Sequence, residues 1–316
     1  MELALSIVAY SVFTLLCGLV TSVYQLAILR VLCGFGLGGE QPVGSTFVAE
    51  SLPEDRRVKF AGYLHTGYYV GFLLASVANY TIGANFGWRW MFAFGGVPAL
   101  FVGWIMSNVK ESHKFEEMKR TKKPSIIQAF GGLFTSKYKN RTIIMSLVYL
   151  VSIIGQWAGS IYVPTALTQI VGTVIGCLLA PILAEKYGRR VAMAIFMSLL
   201  TVTTAVSFGW AFFIMGSNAL PIFFGMTALL GLAGANFAMY TLWLPELFET
   251  SSRGSGMGFI SSIGRFVGVG MVFLIAAGVN HYGNIGTPIA LTSIVLFAGL
   301  FLLPFTVETR GQPLPH

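Results

Sequence analysis

Ten apolar runs, each near the length that crosses a bilayer, set the terms for this chain. They cover residues 3–20, 24–50, 60–80, 88–107, 142–164, 166–184, 191–215, 219–244, 255–279 and 285–305. A hydrocarbon core about 30 Å thick needs about 20 apolar residues of helix. In lipid, backbone N–H and C=O groups must find partners inside the segment, so helix is the expected form of every run. Composition supports this reading. Of 316 residues, 55% are hydrophobic and 10% are charged, against about 25% charged in a soluble domain. So few charges cannot cover a water-facing surface, which excludes a soluble globular enzyme and a disordered chain. The 37 glycines suit helices that pack closely in lipid. The first run lacks a basic leader segment and is long enough to span.

The net charge of +8 resembles a nucleic-acid binder's until the cations are placed. Arg56, Arg57 and Lys59 follow the second run, and nine Lys and Arg between 110 and 141 follow the fourth. Lys186, Arg189 and Arg190 follow the sixth, Arg253 the eighth and Arg310 the tenth. Seventeen of the 20 cations thus follow even-numbered runs. Lys and Arg resist translocation, so these loops are expected in the cytoplasm with both termini. Arg89, between Trp88 and Trp90, reads as an interfacial residue on the opposite side. The same parity divides residues 142–184 into two crossings with a cramped turn near Pro164; a single crossing would put the Glu185–Arg190 loop outside. The charge is a topology signal, and no nucleic-acid partner is expected.

The polar stretch 108–141 separates four runs from six. The expected organisation is an incomplete four-helix bundle over 1–107, a cytoplasmic loop over 108–141, a six-helix bundle over 142–306 and a tail over 307–316. Residues 125–134 within the loop are apolar enough to lie on the membrane surface; a solvated basic linker is the alternative. Cys17, Cys33 and Cys177 sit in apolar runs without metal or disulfide spacing.

Four loop patterns recur in order. The first has Arg30, Gly34, Gly36, Gly38, Gly39, Glu40 and Pro42, followed by Glu50, Pro53, Arg56 and Arg57. The second runs from Ala184 and Glu185 to Gly188, Arg189 and Arg190. The third holds Pro245, Glu246, Arg253, Gly254, Gly256 and Gly258. The last is Val307-Glu308-Thr309-Arg310-Gly311. In this order they resemble the major facilitator superfamily, over essentially the whole chain, and within it the proton-coupled organic-acid symporters and sugar porters. The resemblance implies an all-α membrane fold of two six-helix halves around a central cavity. About ten of the twelve helices are expected here, the first run matching the family's third helix. Its first two helices and the DxxGRR-type loop after them have no counterpart, and the connection near Pro164 is shorter than the family's.

A charge inside the bilayer is costly and marks a functional candidate. Among twelve acids only Glu40 is deep, about 24 Å along its helix from Tyr24 at 1.5 Å per residue, with Gly36 and Gly44 on its face. It is the candidate for a titrating, proton-binding group, the alternative being a structural hydrogen-bond partner. Arg30 and Arg265 are the deep cations. A guanidinium facing a cavity suits a carboxylate, while Arg30 could instead snorkel to the outer interface and Arg265 could pair with an internal acid or carbonyl. Gln156, Trp157, Asn236 and Tyr240 lie mid-span, on helices that match the family's cavity-lining seventh and tenth. Asn236 and Tyr240, four apart, share a face. His65 reads as a satisfied histidine near a helix end. By the same resemblance, Glu50 with Arg57, Glu185 with Arg189 and Arg190, and Glu246 with Arg253 form cytoplasmic gate clusters.

The chain holds no GxxxxGKS or GxxxxGKT loop and no HExxH, and Asp55 is its only aspartate. ATP-driven pumping and intramembrane aspartyl proteolysis therefore lack their residues. The expectation is a monomeric secondary transporter in a bacterial inner membrane that takes up a small organic anion with protons by alternating access. It has no catalytic residue, cofactor or metal. A sugar or polyol porter and a non-transporting fragment are the alternatives.

Overall fold

The computed structural model describes residues 2–104, 126–162, 167–211, 213 and 219–315. Among these residues the regular structure is entirely helical. Residues 108–125 of the 108–141 loop and the turn at Pro164 lie outside them.

Contacts divide the chain into two units, one of residues 1–52 and 70–123, the other of 53–69 and 124–316. The first unit contains α1 (Glu2–Cys17) and α2 (Val23–Ser51). Ser22 starts α2 with a reciprocal cap, its hydroxyl accepting from the Gln25 N–H while the Gln25 side chain accepts from the Ser22 N–H. Two otherwise orphaned donors are satisfied in this way. The helices α1 and α2 lie side by side. Gly36 makes the approach possible, since a Cβ there would stand 2.8 Å from the Tyr10 backbone nitrogen. The helix α3 (Glu54–Ala78) begins in the second unit and continues into the first.

The fourth run departs from its expected form. A π-helical turn at Asn79–Gly83 and a single turn at Ala84–Phe86 end at Gly87, whose φ of 86° only glycine adopts readily. Then come α4 (Trp88–Phe94), the Gly95–Gly96 pair and a 3₁₀ turn over Val97–Phe101 opened by Pro98. Glycine adds backbone freedom and proline withholds an N–H, so one continuous helix does not form here.

In the second unit α5 (Ile126–Gly132) precedes α6 (Lys139–Tyr162), α7 (Leu167–Tyr187) and α8 (Arg189–Thr204), which continues as a π-helical stretch to Ala211. After these come α9 (Ala219–Gly234), α10 (Asn236–Leu247), α11 (Thr250–Tyr282) and α12 (Gly286–Leu300). Six described stretches are long and apolar enough to cross a membrane: 139–158, 169–187, 189–211, 221–247, 250–282 and 286–305. Each overlaps one of the six runs expected between 142 and 305. The stretch 221–247 is discontinuous, with a turn at Ala235 between α9 and α10.

Packing in this unit relies on glycine. The helices α7 and α9 run so close that a Cβ on Gly172 would lie 2.0 Å from the Ala228 carbonyl oxygen, and one on Gly231 equally close to that of Gln169. Gly172 and Gly176 are four apart on one face of α7, the small-residue spacing that lets membrane helices meet backbone to backbone. The buried core is aromatic and aliphatic, with Tyr149, Phe196, Phe208, Trp243 and Phe248 almost wholly enclosed. Outward faces are apolar too, with Phe266 and Phe273 of α11 80% and 72% exposed. Facing water, each such ring would forgo about 1.5–3 kcal/mol of burial; facing lipid it forgoes little.

Candidate functional site

The break between α9 and α10 places Asn236 midway along a spanning segment. Asn236 is fully buried, and among the described residues neither its amide oxygen nor its amide nitrogen has a hydrogen-bond partner. Gln156 of α6 lies nearby. A Cβ on Gly234 would fall 2.7 Å from the Gln156 Nε2, so the glycine makes room for the amide at the break. The Gln156 oxygen is likewise buried and unpartnered. Unpaired buried amides cost about 1–3 kcal/mol each in a protein interior. Two together, deep in a membrane helix bundle, mark a place suited to a polar ligand.

Aromatic and hydroxyl groups surround the amides. Tyr240, one turn after Asn236, hydrogen-bonds Ser152 of α6 at 2.7 Å between oxygens. Its ring meets Tyr149 edge-on with centroids 4.6 Å apart, and Phe237 meets Tyr149 at 5.6 Å. Gly264 of α11 lets the Tyr149 ring approach to 2.4 Å of where a Cβ would stand. One residue on, Arg265 lies within hydrogen-bonding reach of the Tyr149 hydroxyl. Trp157 of α6 is half-buried and packs near Gly268 of α11. From α3, the His65 Nδ1 lies 3.0 Å from the Thr241 hydroxyl, while its Nε2 is buried and unpartnered. Tyr68 stacks on the imidazole and Tyr69 meets it edge-on.

Thus five sequence candidates, Gln156, Trp157, Asn236, Tyr240 and Arg265, lie in the second unit on three neighbouring helices. His65, expected to be satisfied, is paired at Nδ1, while its Nε2 has no partner among the described residues. Tyr149 and Ser152 were not singled out, although Tyr149, Ser152 and Gln156 recur at helical spacing on α6. Arg30 and Glu40 belong to the first unit. Arg30 is exposed, its guanidinium 6.0 Å from the centre of the Phe92 ring. Glu40 is half-buried, within electrostatic reach of the Tyr10 phenol.

A second constellation gathers at the loop end of the second unit, centred on buried Glu246. Arg189 binds the Glu246 carboxylate through two nitrogens, Nε at 3.0 Å and Nη2 at 2.7 Å. Arg57 stands 3.6 Å away, and the Thr309 hydroxyl also donates to Glu246. Arg253 is fully buried and donates to the Pro245 carbonyl at 2.9 Å. These pairings differ from the expected ones. The resemblance groups Glu185 with Arg189 and Arg190, yet Glu246 takes the Arg189 guanidinium, and among the described residues Glu185 has no ion pair. Gly188, at φ 94°, turns the chain between α7 and α8 so that the first N–H groups of α8 point at another acid, Glu308. The Glu308 carboxylate accepts from the N–H groups of Arg189 at 2.9 Å and Arg190 at 3.0 Å, and from those of Thr309 and Arg310. Helix N-termini hold anions in this way. Partial burial pushes the Glu308 carboxyl up, but the four N–H donors outweigh it and hold it below the ordinary carboxylate range. Arg190 donates to the Thr306 carbonyl. Glu50 is half-buried in the first unit. Among the described residues, no group of three or more His, Cys, Asp or Glu is arranged to hold a metal.

Comparison with known proteins agrees with this architecture. The family model of the Major Facilitator Superfamily matches residues 3–172. The chain is 30% identical to the probable 4-methylmuconolactone transporter of Cupriavidus pinatubonensis, over 98% of this chain and 75% of that protein. It is 27% identical to the sialic acid transporter NanX of Escherichia coli, over 94% and 75%. Its fold matches that of the proton:xylose symporter XylE bound to 6-bromo-6-deoxy-D-glucose, with a TM-score of 0.77 and 18% identity, over 99% of this chain and 81% of that one. Membrane-length helices, glycine-mediated packing and these matches together establish that the chain belongs to the major facilitator superfamily, a family of membrane transporters and not of enzymes.

Proposed function

We propose that the protein takes up a small organic anion together with protons by alternating access, and that the mid-span cluster of the second unit supplies part of the substrate site. The observation that carries this reading is Asn236, wholly buried with both ends of its amide unpartnered. Buried amides are normally satisfied, and a ligand carrying oxygen acceptors and donors would satisfy this one. Gln156 supplies the second amide. Arg265 supplies the cation for a carboxylate, and Tyr149 and Trp157 supply aromatic walls for an apolar or ring-bearing body. Two relatives, a probable 4-methylmuconolactone transporter and a sialic acid transporter, support an organic-acid substrate.

In this reading Glu40 binds the coupling proton, and the Glu246 cluster, with Arg57, Arg189 and Arg253, closes the cytoplasmic end. Glu185 and Arg190 lie at the rim of that gate; in the first unit, Glu50 takes the cytoplasmic end of α2 and Arg30 lies towards its outer end. The protein sits as a monomer in a bacterial inner membrane with both termini in the cytoplasm. Loop cations following even-numbered runs support that orientation.

A sugar or polyol is the second reading. The Asn236, Gln156, Ser152 and Tyr240 groups are neutral and match hydroxyls as well as carboxylates. Competition for binding to the purified chain by a panel of carboxylates and sugars separates the two. Carboxylates should compete in wild type and at least tenfold less well in Arg265→Gln. Competition by neutral sugars alone would replace the first reading with the second. In proteoliposomes, Glu40→Gln should remove the dependence of uptake on an imposed proton gradient; uptake that keeps its full dependence would sink the coupling role.

A further inference from the structure

We propose that residues 306–315 form a backbone latch over the loop end of the second unit, and that this end opens only when the latch is released. The latch draws no strength from regular structure of its own; the segment is extended apart from one turn. Every few residues it is instead tied to a different element. The Trp243 indole N–H of α10 donates to the Val307 carbonyl at 3.1 Å. Glu308 seals the N-terminus of α8, and the Thr309 hydroxyl donates to Glu246. A tight turn follows, in which the Gln312 N–H donates to the Thr309 carbonyl at 3.1 Å and Gly311 takes φ 70°. That positive φ at the third position is what such a turn requires, and glycine supplies it without strain.

The turn aims two carbonyls at two buried guanidiniums. Arg57 of α3 donates to the Gln312 carbonyl at 3.0 Å, across 255 residues of sequence. Arg253 of α11 donates to the Pro315 carbonyl at 2.9 Å. Between them Leu314 is buried, while Gln312 and Pro313 face outward. A guanidinium in a buried setting needs its N–H groups satisfied, and losing an acceptor there leaves the full desolvation cost. Peeling the tail away therefore strips acceptors from Arg57 and Arg253 and a donor from Glu246 together. The three elements that carry them, α3, α10 and α11, are held as a set by one extended segment. The contacts also make the latch two-state, because half-docking leaves buried polar groups unpaired.

The docked tail is testable without any transport assay, so its failure is distinct from failure of the uptake reading. Single cysteines are placed at Leu314 and at Gln312 in the full chain, and maleimide labelling rates are compared in membranes opened to the loop face. Leu314→Cys should label at least tenfold more slowly than Gln312→Cys; equal rates would overturn the docked segment. The coupling is read by hydrogen exchange of the purified chain. Gly311→Ile breaks the turn without touching a gate side chain. It should speed exchange at least tenfold in peptides covering residues 54–60 and 187–192, while α6 keeps its protection. Unchanged exchange in both peptides would make the tail a passenger and overturn the latch. If Gly311→Ile exposes α6 as well, Leu314→Ala provides the same comparison with a milder change.

Discussion

Asn236 and Glu308 show how single polar groups report on this protein. An unpartnered buried amide costs about 1–3 kcal/mol, whereas an apolar side chain of similar shape at the same place does not. Asn236→Leu is therefore expected to raise the thermal unfolding midpoint of the purified chain while lowering ligand affinity at least tenfold. A lowered midpoint with unchanged affinity would mean that Asn236 serves packing alone. Glu308 carries a pH signature of opposite logic. Its carboxyl is held below the ordinary 4.5 by four N–H donors, so its contribution is complete above that value and is lost as pH falls through the lowered one. Protection of the tail against hydrogen exchange, corrected for intrinsic rates, should be flat from pH 8 to about 5 and fall below about 4.5. Glu308→Gln should flatten that fall. Of these residues Asn236 was legible in the sequence, because a lone amide stands out in an apolar run. For His65 the neighbouring Tyr68 and Tyr69 follow from helical spacing, whereas the Thr241 hydroxyl, 176 residues away, joins it only in the fold.

Among the elements, the pair α7 and α9 makes the sharpest claim. With a Cβ on Gly172 only 2.0 Å from a backbone oxygen, neither helix can yield without moving whole. Gly172→Ala should destabilise the chain by about 1–3 kcal/mol, in line with overpacked cores, measured as a loss of thermal or denaturant midpoint. Gly225→Ala, where the added Cβ meets nothing within 4 Å, should leave the midpoint unchanged or raise it slightly through helix propensity. Equal losses at both sites would remove close packing as the reason for glycine at 172. Apolar length foretold the six spans of the second unit, since bilayer thickness dictates that length. It did not foretell the interruptions. Gly95, Gly96 and Pro98 announce the broken fourth run, and Gly87 the turn before it, whereas the turn at Ala235 carries no breaker except the neighbouring Gly234.

For the whole molecule, the loop-end cluster shows where sequence reading stops. The charged residues were identifiable because acids and arginines gather at the ends of apolar runs. Their partners were not, because Arg189 reaches an acid 57 residues away and Arg57 reaches a carbonyl 255 residues away. Backbone carbonyls leave no mark in a sequence. The same limit applies to the proposed substrate site, because no spacing in the sequence brings Gln156 to the break at Gly234 or Arg265 to Tyr149. Movement of a small organic anion with protons is tested most directly by reconstitution. The purified chain is placed in proteoliposomes, and uptake of radiolabelled organic acids is followed with and without an inward proton gradient. Uptake that is saturable, accelerated by the gradient and abolished when a protonophore collapses it is the predicted result. Uptake no faster than in protein-free liposomes, under either condition, would contradict the account.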